Sequence, residues 1–294
     1  MDKAHLGGGL ELDPSQAGRV AELAARLGRY REEYYAGSPL LSDAAYDTLE
    51  DELRTLDPAH PLLAKVGTPV VSEAWDKAPH EIPMGSLNKA TSEQELREWL
   101  ARCDALLDKA GQPSMASDLY VAEKLDGISI ELIYRAGELV DGITRGDGEV
   151  GERITANVAR MRGVPRRITH RGHLSVRGEI ILRLSDMRRH FPEYSSPRNA
   201  AAGTARRLDG ALNEHLTVLC YDVAEELDLA TEVDKFRLLH ELGFATPNSY
   251  RGDLDTVVAT YASYSDGKRA ELDYEIDGLV VRANSLALQA ALGD

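Results

Sequence analysis

The chain has 294 residues and a formal charge of −15, with 49 acidic residues against 34 basic ones. That length buries a sizeable core and has room for two domains, while the acidity argues against a surface that grips nucleic acid along its whole extent. No apolar run is long enough to span a bilayer. Residues 1–12 lack a signal-peptide pattern, and Cys103 and Cys220 offer neither a zinc spacing nor a disulfide framework, so a cytoplasmic protein is expected.

Asp13-Pro14 suits a helix start, with the acid as cap and proline in the first turn. Val20, Leu23, Ala24 and Leu27 keep helical spacing, and the pattern runs to Tyr34-Tyr35 before Gly37-Ser38-Pro39. Ser42 or Asp43 then caps a second helix whose apolar stripe is Tyr46, Leu49, Leu53 and Leu56. Asp43 and Asp47 stand four apart, so they share one helical face at a cost of roughly 0.2–0.5 kcal/mol. Two acids beside several tyrosines suit a flat cationic ligand. The plainer reading makes Asp43 a cap and Tyr46 core.

Residues 62–85 carry prolines and little periodicity, which reads as a linker. Ser92 and Glu95 form a capping box before Leu96, Trp99, Leu100, Cys103, Leu106 and Leu107, so Cys103 is expected in a core. The period changes at Leu119. Ile128, Ile130, Leu132 and Tyr134 fall on one side of a strand, a tight turn follows at Ala136-Gly137, and Leu139–Arg145 is the returning strand. With that turn, Arg145 is expected opposite Ile128. Leu174–Leu182, Leu216–Val223 and Tyr274–Ala283 read as further strands, and Val233–Leu242 and Leu254–Tyr264 as helices. The eight histidines form no HExxH pair, so no metal-ligating residue is predicted.

Lys124 stands between Glu123 and Asp126, with Gly127 next. Taken alone, such a lysine is a solvated surface residue. Its setting argues otherwise, because the Arg145-Gly-Asp-Gly148 loop returns to the same end of the hairpin. Gly146 and Gly148 there permit close backbone approach to a phosphate or sugar.

Lys124-Leu-Asp-Gly127 resembles the lysine-nucleophile motif of covalent nucleotidyltransferases. Thr144-Arg-Gly-Asp-Gly148, Val176-Arg-Gly-Glu179, Ser196-Pro-Arg-Asn-Ala-Ala-Ala-Gly203 and Glu275-Ile-Asp-Gly-Leu-Val-Val-Arg282 follow in the order and spacing of the bacterial NAD-dependent DNA ligase family. The tyrosine and aspartate helices resemble that family's N-terminal module. The likeness runs from about Gly18 to the last residue.

The resemblance implies an α+β architecture. A small all-helical NMN-binding domain covers residues 1–72, with 1–12 as a loose tail. A nucleotidyltransferase (adenylation) domain of largely antiparallel sheets flanked by helices covers 73–294. It also implies the chemistry: the Lys124 amine attacks the α-phosphate of NAD, nicotinamide mononucleotide leaves, and a lysyl-AMP phosphoramidate remains for transfer to the 5′-phosphate of nicked double-stranded DNA. Such a lysine must first lose its proton, and at a reference pKa near 10.4 only about one in two thousand is neutral at pH 7. Glu123 and Asp126 oppose that loss, so Mg2+ is expected beside NAD. Lys124, Asp126 and Arg282 are the implied catalytic residues. Ser86, Leu87, Glu123, Arg145, Glu179, Arg198, Arg206, Arg269 and Asp277 are implied on the adenylate and phosphates, and Tyr34, Tyr35, Asp43, Tyr46 and Asp47 on the nicotinamide half. Work on nicked DNA further implies DNA repair and replication, by a monomer without a membrane.

The sequence departs from the family pattern at three places. Ala122 stands where an adenine-contacting glutamate is usual, with Glu123 one residue on. Arg282 stands where a lysine is usual. The chain stops at Asp294, before the family's last nucleotidyltransferase motif and its oligonucleotide-binding, zinc-finger, helix-hairpin-helix and BRCT parts. The alternative reading is therefore a truncated NAD- or NMN-binding fragment without ligation activity.

Overall fold

The computed structural model describes residues 14–35, 41, 43–64, 75–81, 84–85, 87–223 and 227–293. Ser86 and the side chains of Tyr34, Tyr35, Asp43 and Asp47 lie outside the described part. The chain divides into two units, Met1–Thr68 and Pro69–Asp294.

In the smaller unit, helices Pro14–Tyr35 and Asp43–Leu56 are followed by one turn of helix at Pro61–Ala64. The predicted stripes meet. Val20, Leu23, Leu27 and Leu53 are buried together, and Tyr46, Leu49 and Leu56 pack against them. The Tyr46 hydroxyl accepts a hydrogen bond from Arg31 Nε at 3.1 Å, so this tyrosine has an apolar body in the core and a polar tip held within its own unit.

The larger unit holds nine strands among the described residues. They are β1 (Lys77–Pro79), β2 (Leu119–Leu125), β3 (Ile128–Arg135), β4 (Glu138–Thr144), β5 (Val150–Glu152), β6 (His173–Leu182), β7 (Leu216–Val223), β8 (Ser249–Gly252) and β9 (Ile276–Ala283). They form a β1-β5 pair, a three-stranded sheet ordered β8-β2-β9 and a four-stranded sheet ordered β4-β3-β6-β7. Neighbouring strands in all three run antiparallel.

Alternation along β3 builds the main core. Ile130, Leu132 and Tyr134 point to one face and are fully buried with Val176, Ile180 and Val218 under the helix Pro197–Ala205. Ser196 caps that helix by accepting from Asn199 N, with proline at its first position. A second core joins β2 to the helix Glu93–Lys109 through Leu119, Val121, Leu100, Leu107 and Cys103, which is buried as expected. Leu125, Ile181, Leu219 and Ile276 form a third cluster that draws on strands of both sheets. Ser92 caps its helix as predicted, but Glu95 reaches back to Thr91 N and Oγ1.

The β3–β4 hairpin corrects one expectation. Ala136 (φ 53°) and Gly137 (φ 83°) make the left-handed two-residue turn that right-twisted strands prefer. Arg135 pairs with Glu138 and Tyr134 with Leu139, as that turn requires. A bulge then leaves Val140 unpaired and shifts the register by one, so Ile130 faces Thr144. Arg145 consequently bonds to Ser129, through its backbone N–H to the Ser129 carbonyl at 3.1 Å, rather than facing Ile128.

Candidate active site

Lys124 sits at the end of β2, the central strand of the three-stranded sheet, and the chain crosses to the four-stranded sheet through Leu125-Asp126-Gly127. The crossing passes so close to β6 that a β-carbon on Gly127 would collide with the Ile180 carbonyl oxygen and come 2.8 Å from Glu179 Cγ. Glycine is the residue that lets the lysine approach β6 this tightly.

Lys124 pairs with Gly278 across the ladder, and Leu125 with Ile276, so Asp277 is the extra residue of a bulge. Gly278 takes φ 138° there. The bulge turns the Asp277 carboxylate onto the Lys124 amine, with which it forms an ion pair. Both side chains remain about half exposed, so the pair is open to a ligand. Two residues beyond the lysine, Asp126 accepts from Arg198 Nη1 at 2.9 Å. Arg198 comes from the first turn of the helix Pro197–Ala205, so the cap at Ser196 sets its position.

Glu179, on β6, is 7% exposed. Burial pushes its carboxyl up to about 7 against the pull of Arg198, Ser129 and Arg145, and Asp126 adds a smaller push upward. Tyr221 approaches the same carboxylate at a long 3.5 Å. Arg145 spends one guanidinium nitrogen on the Gly85 carbonyl at 2.9 Å, and its Nε is buried with no hydrogen-bond partner. The site therefore holds a donor and a buried acid with unused bonding capacity.

The loop that carries Arg145 is held from behind. Gly146 (φ 57°) has no room for a side chain, since a β-carbon would meet the Val150 carbonyl. The Arg145 carbonyl faces His80 Nε2 at 3.0 Å, and His80 Nδ1 lies 2.6 Å from Glu131 Oε2, while Glu131 Oε1 accepts from Ser175 Oγ. The His80 and Glu131 side chains are fully buried. Burial pushes the Glu131 carboxyl up, but His80 and Ser175 outweigh it and hold the group below the usual carboxylate range.

Several named residues lie elsewhere. Glu123 points to the opposite face of β2 from Lys124, as strand parity requires. Its carboxylate is 3% exposed and accepts from Asn248 N (3.0 Å), Asn248 Nδ2 (2.9 Å), Tyr264 (2.7 Å) and Tyr274 (2.6 Å). Burial pushes both phenols up, which keeps them protonated donors. Arg282 shares the face of Lys124 but pairs with Tyr120, four positions down the strand or about 13 Å at strand rise. There it lies 3.6 Å from the fully buried Glu232. Arg206 is tied to the buried Glu152, Arg269 lies 3.7 Å from Glu275, and Leu87 is exposed.

Sequence reading did not single out Ser129, Tyr221 or the cage of Asn248, Tyr264 and Tyr274. The parity of Glu123 relative to Lys124 was the available signal for the cage. No local pattern marks residues 125 to 151 positions away as its partners.

Residues 72–294 match the family described as the NAD-dependent DNA ligase adenylation domain, and residues 13–71 match the DNA ligase-like, N-terminal NAD+-binding domain. The chain belongs to the NAD-dependent DNA ligase family. It is 60% identical to a DNA ligase of Sorangium cellulosum, over 98% of this chain and 45% of that protein. Against DNA ligases of Exiguobacterium sibiricum and Treponema pallidum the identity is 36% in both cases, over 94% and 93% of this chain and 43% and 34% of theirs. The chain thus spans less than half the length of these ligases. Together the two family matches cover both the helical unit and the sheet unit.

Proposed function

We propose that this chain is the NAD-binding and self-adenylating part of a bacterial DNA ligase, with residues 1–72 as an NMN-binding domain and 73–294 as the nucleotidyltransferase domain. The observation that carries the reading is the position of Lys124: it lies where β2 crosses to the second sheet, with its amine on Asp277 and the Asp126–Arg198 pair two residues on.

In this reading Lys124 supplies the nucleophile. Its nitrogen forms a bond to the α-phosphorus of NAD as the bond to nicotinamide mononucleotide breaks, and its proton leaves with solvent. Asp277 aims the amine. Arg198 is a guanidinium fork already oriented by Asp126, suited to a phosphate. Glu179 and the unused Nε of Arg145 are an acceptor and a donor that fit ribose hydroxyls. The buried, fully bonded Glu123 braces the strand behind Lys124 and leaves adenine to other groups. Asp43, Asp47, Tyr34, Tyr35 and Tyr46 are the candidates for the nicotinamide half, Ser86 and Leu87 for the adenosine, and Arg206, Arg269 and Arg282 for phosphates.

A magnesium ion fits the donor set, because Asp126 and Asp277 are hard oxygen donors about half to a quarter exposed beside the nucleophile. Bound there, it would supply charge neutralisation at the phosphate. Nicked double-stranded DNA is the proposed final acceptor, which places the protein in DNA replication and repair in the cytoplasm.

Incubation with NAD and magnesium is expected to add one AMP to Lys124, whereas ATP adds none; intact-mass analysis with peptide mapping reads both. Lys124→Ala is expected to carry no adduct. Absence of an adduct at saturating NAD would overturn the enzymatic reading and leave a nucleotide-binding unit.

A further inference from the structure

We propose a second, separate cation site in the larger unit, built from Asp186, His190 and His215 and suited to a late first-row divalent metal, zinc foremost. Asp186 and His190 stand four apart on the helix Leu184–His190, so they rise from one face of it. His215 comes from the single 3-10 turn Asn213–His215 that leads into β7. One ligand atom from each of the three lies within 4.8 Å of the others.

Three details point to a shared ion rather than to an ordinary polar contact. His215 Nδ1 lies 3.5 Å from Asp186 Oδ1, too long for a good N–H···O bond. Two ligands about 2.0–2.1 Å from one tetrahedral zinc sit about 3.4 Å apart, which matches that edge. His215 Nδ1 is also buried with no hydrogen-bond partner, on a side chain 18% exposed beside an Asp186 side chain 13% exposed. An imidazole nitrogen shut away from water and left unbonded costs free energy unless something binds it.

The carboxylate is braced as a ligand would be. Arg162 Nη1 donates to Asp186 Oδ2 at 2.6 Å, which leaves Oδ1 turned toward His215. Arg162 is itself fixed to β7 by its backbone, donating to Leu216 O and accepting from Val218 N. Such an outer partner orients a coordinating carboxylate. The His190 ring stacks on His215 with centroids 4.0 Å apart and planes 22° from parallel. In that pose the near-parallel rings do not aim their nitrogens at one point, but His190 ends its helix and is partly exposed, so its side chain can turn out of the stack to reach the ion. Two imidazoles and one carboxylate select zinc, nickel or cobalt over magnesium. A fourth position remains for water. The ion would clip the Leu184–His190 helix to the start of β7, using none of the residues placed around Lys124.

The test uses the full chain, stripped with chelator and titrated with zinc alone, then with cobalt(II) alone. One equivalent of zinc is expected to bind and to raise the thermal unfolding midpoint. Cobalt is expected to give the visible absorption of a low-symmetry nitrogen–oxygen site, and a large excess of magnesium should displace neither metal. His190→Ala and His215→Ala are expected to weaken zinc by about tenfold or more and to remove the cobalt spectrum. His190→Ala alters a partly exposed ring at a helix end, so it decides the matter if His215→Ala does not fold. No bound zinc in the wild-type chain, or unchanged stoichiometry and affinity in folded His190→Ala, would overturn the site.

Discussion

Replacing Glu179 by glutamine isolates one buried acid in the candidate active site and reads it through pH. The group is 7% exposed, and burial raises its pKa from the ordinary 4.5 to about 7. An acid raised on folding holds its proton more tightly in the native state than in the unfolded chain. Its favourable contribution is fully present below pH 4.5 and is lost as pH rises through about 7. A rise from 4.5 to about 7 corresponds to about 3 kcal/mol. Urea unfolding followed by tryptophan fluorescence suits the measurement, because both tryptophans, Trp75 and Trp99, lie in the larger unit. Relative to Glu179→Gln, the wild-type chain is expected to lose about 3 kcal/mol between pH 4.5 and 8 and to run parallel above that. Parallel curves across the whole range would refute the burial argument and with it the picture of Glu179 as an acid kept dry beside Arg198.

Gly127→Ala places a methyl against the Ile180 carbonyl; it is expected to cost about 1–3 kcal/mol in the same urea assay, and an unchanged midpoint would show that the crossing has slack. Glu123→Ala strands the Asn248 amide and two phenols without their acceptor. It is expected to cost on the order of 3 kcal/mol while folded protein still forms the Lys124 adduct with an unchanged NAD requirement. A raised NAD requirement at unchanged stability would instead make Glu123 an adenine contact. Leu23→Ala opens a cavity in a core with four buried side chains and is expected to cost about 2–5 kcal/mol. Helical circular dichroism should then fall in an early transition that tryptophan fluorescence does not see.

Much of the local structure was legible because it is written in short-range pattern. Alternation placed β3, β6 and β7, and Ala136-Gly137 placed the hairpin turn. Helical spacing put Leu23, Leu53, Leu100 and Cys103 into cores, since a helix or strand repeats its buried face at a fixed period. The β3–β4 register was legible only as far as Tyr134. The bulge at Val140 is a single extra residue in a run whose composition reads the same with or without it.

By itself, the sequence determined the order of the Lys124, Arg145, Glu179, Arg198 and Asp277 segments, and hence the family. Tertiary structure alone decided which of these side chains meet. The bulge at Asp277 brings one carboxylate to Lys124, while parity turns Glu123 away into a cage drawn from three distant segments. Arg282 stays four positions down its strand, beside Glu232. Asp186, His190 and His215 converge only because the Leu184–His190 helix packs near the start of β7. Local period fixes the face on which a side chain emerges, but the partner it finds there depends on register and packing between segments far apart in the chain.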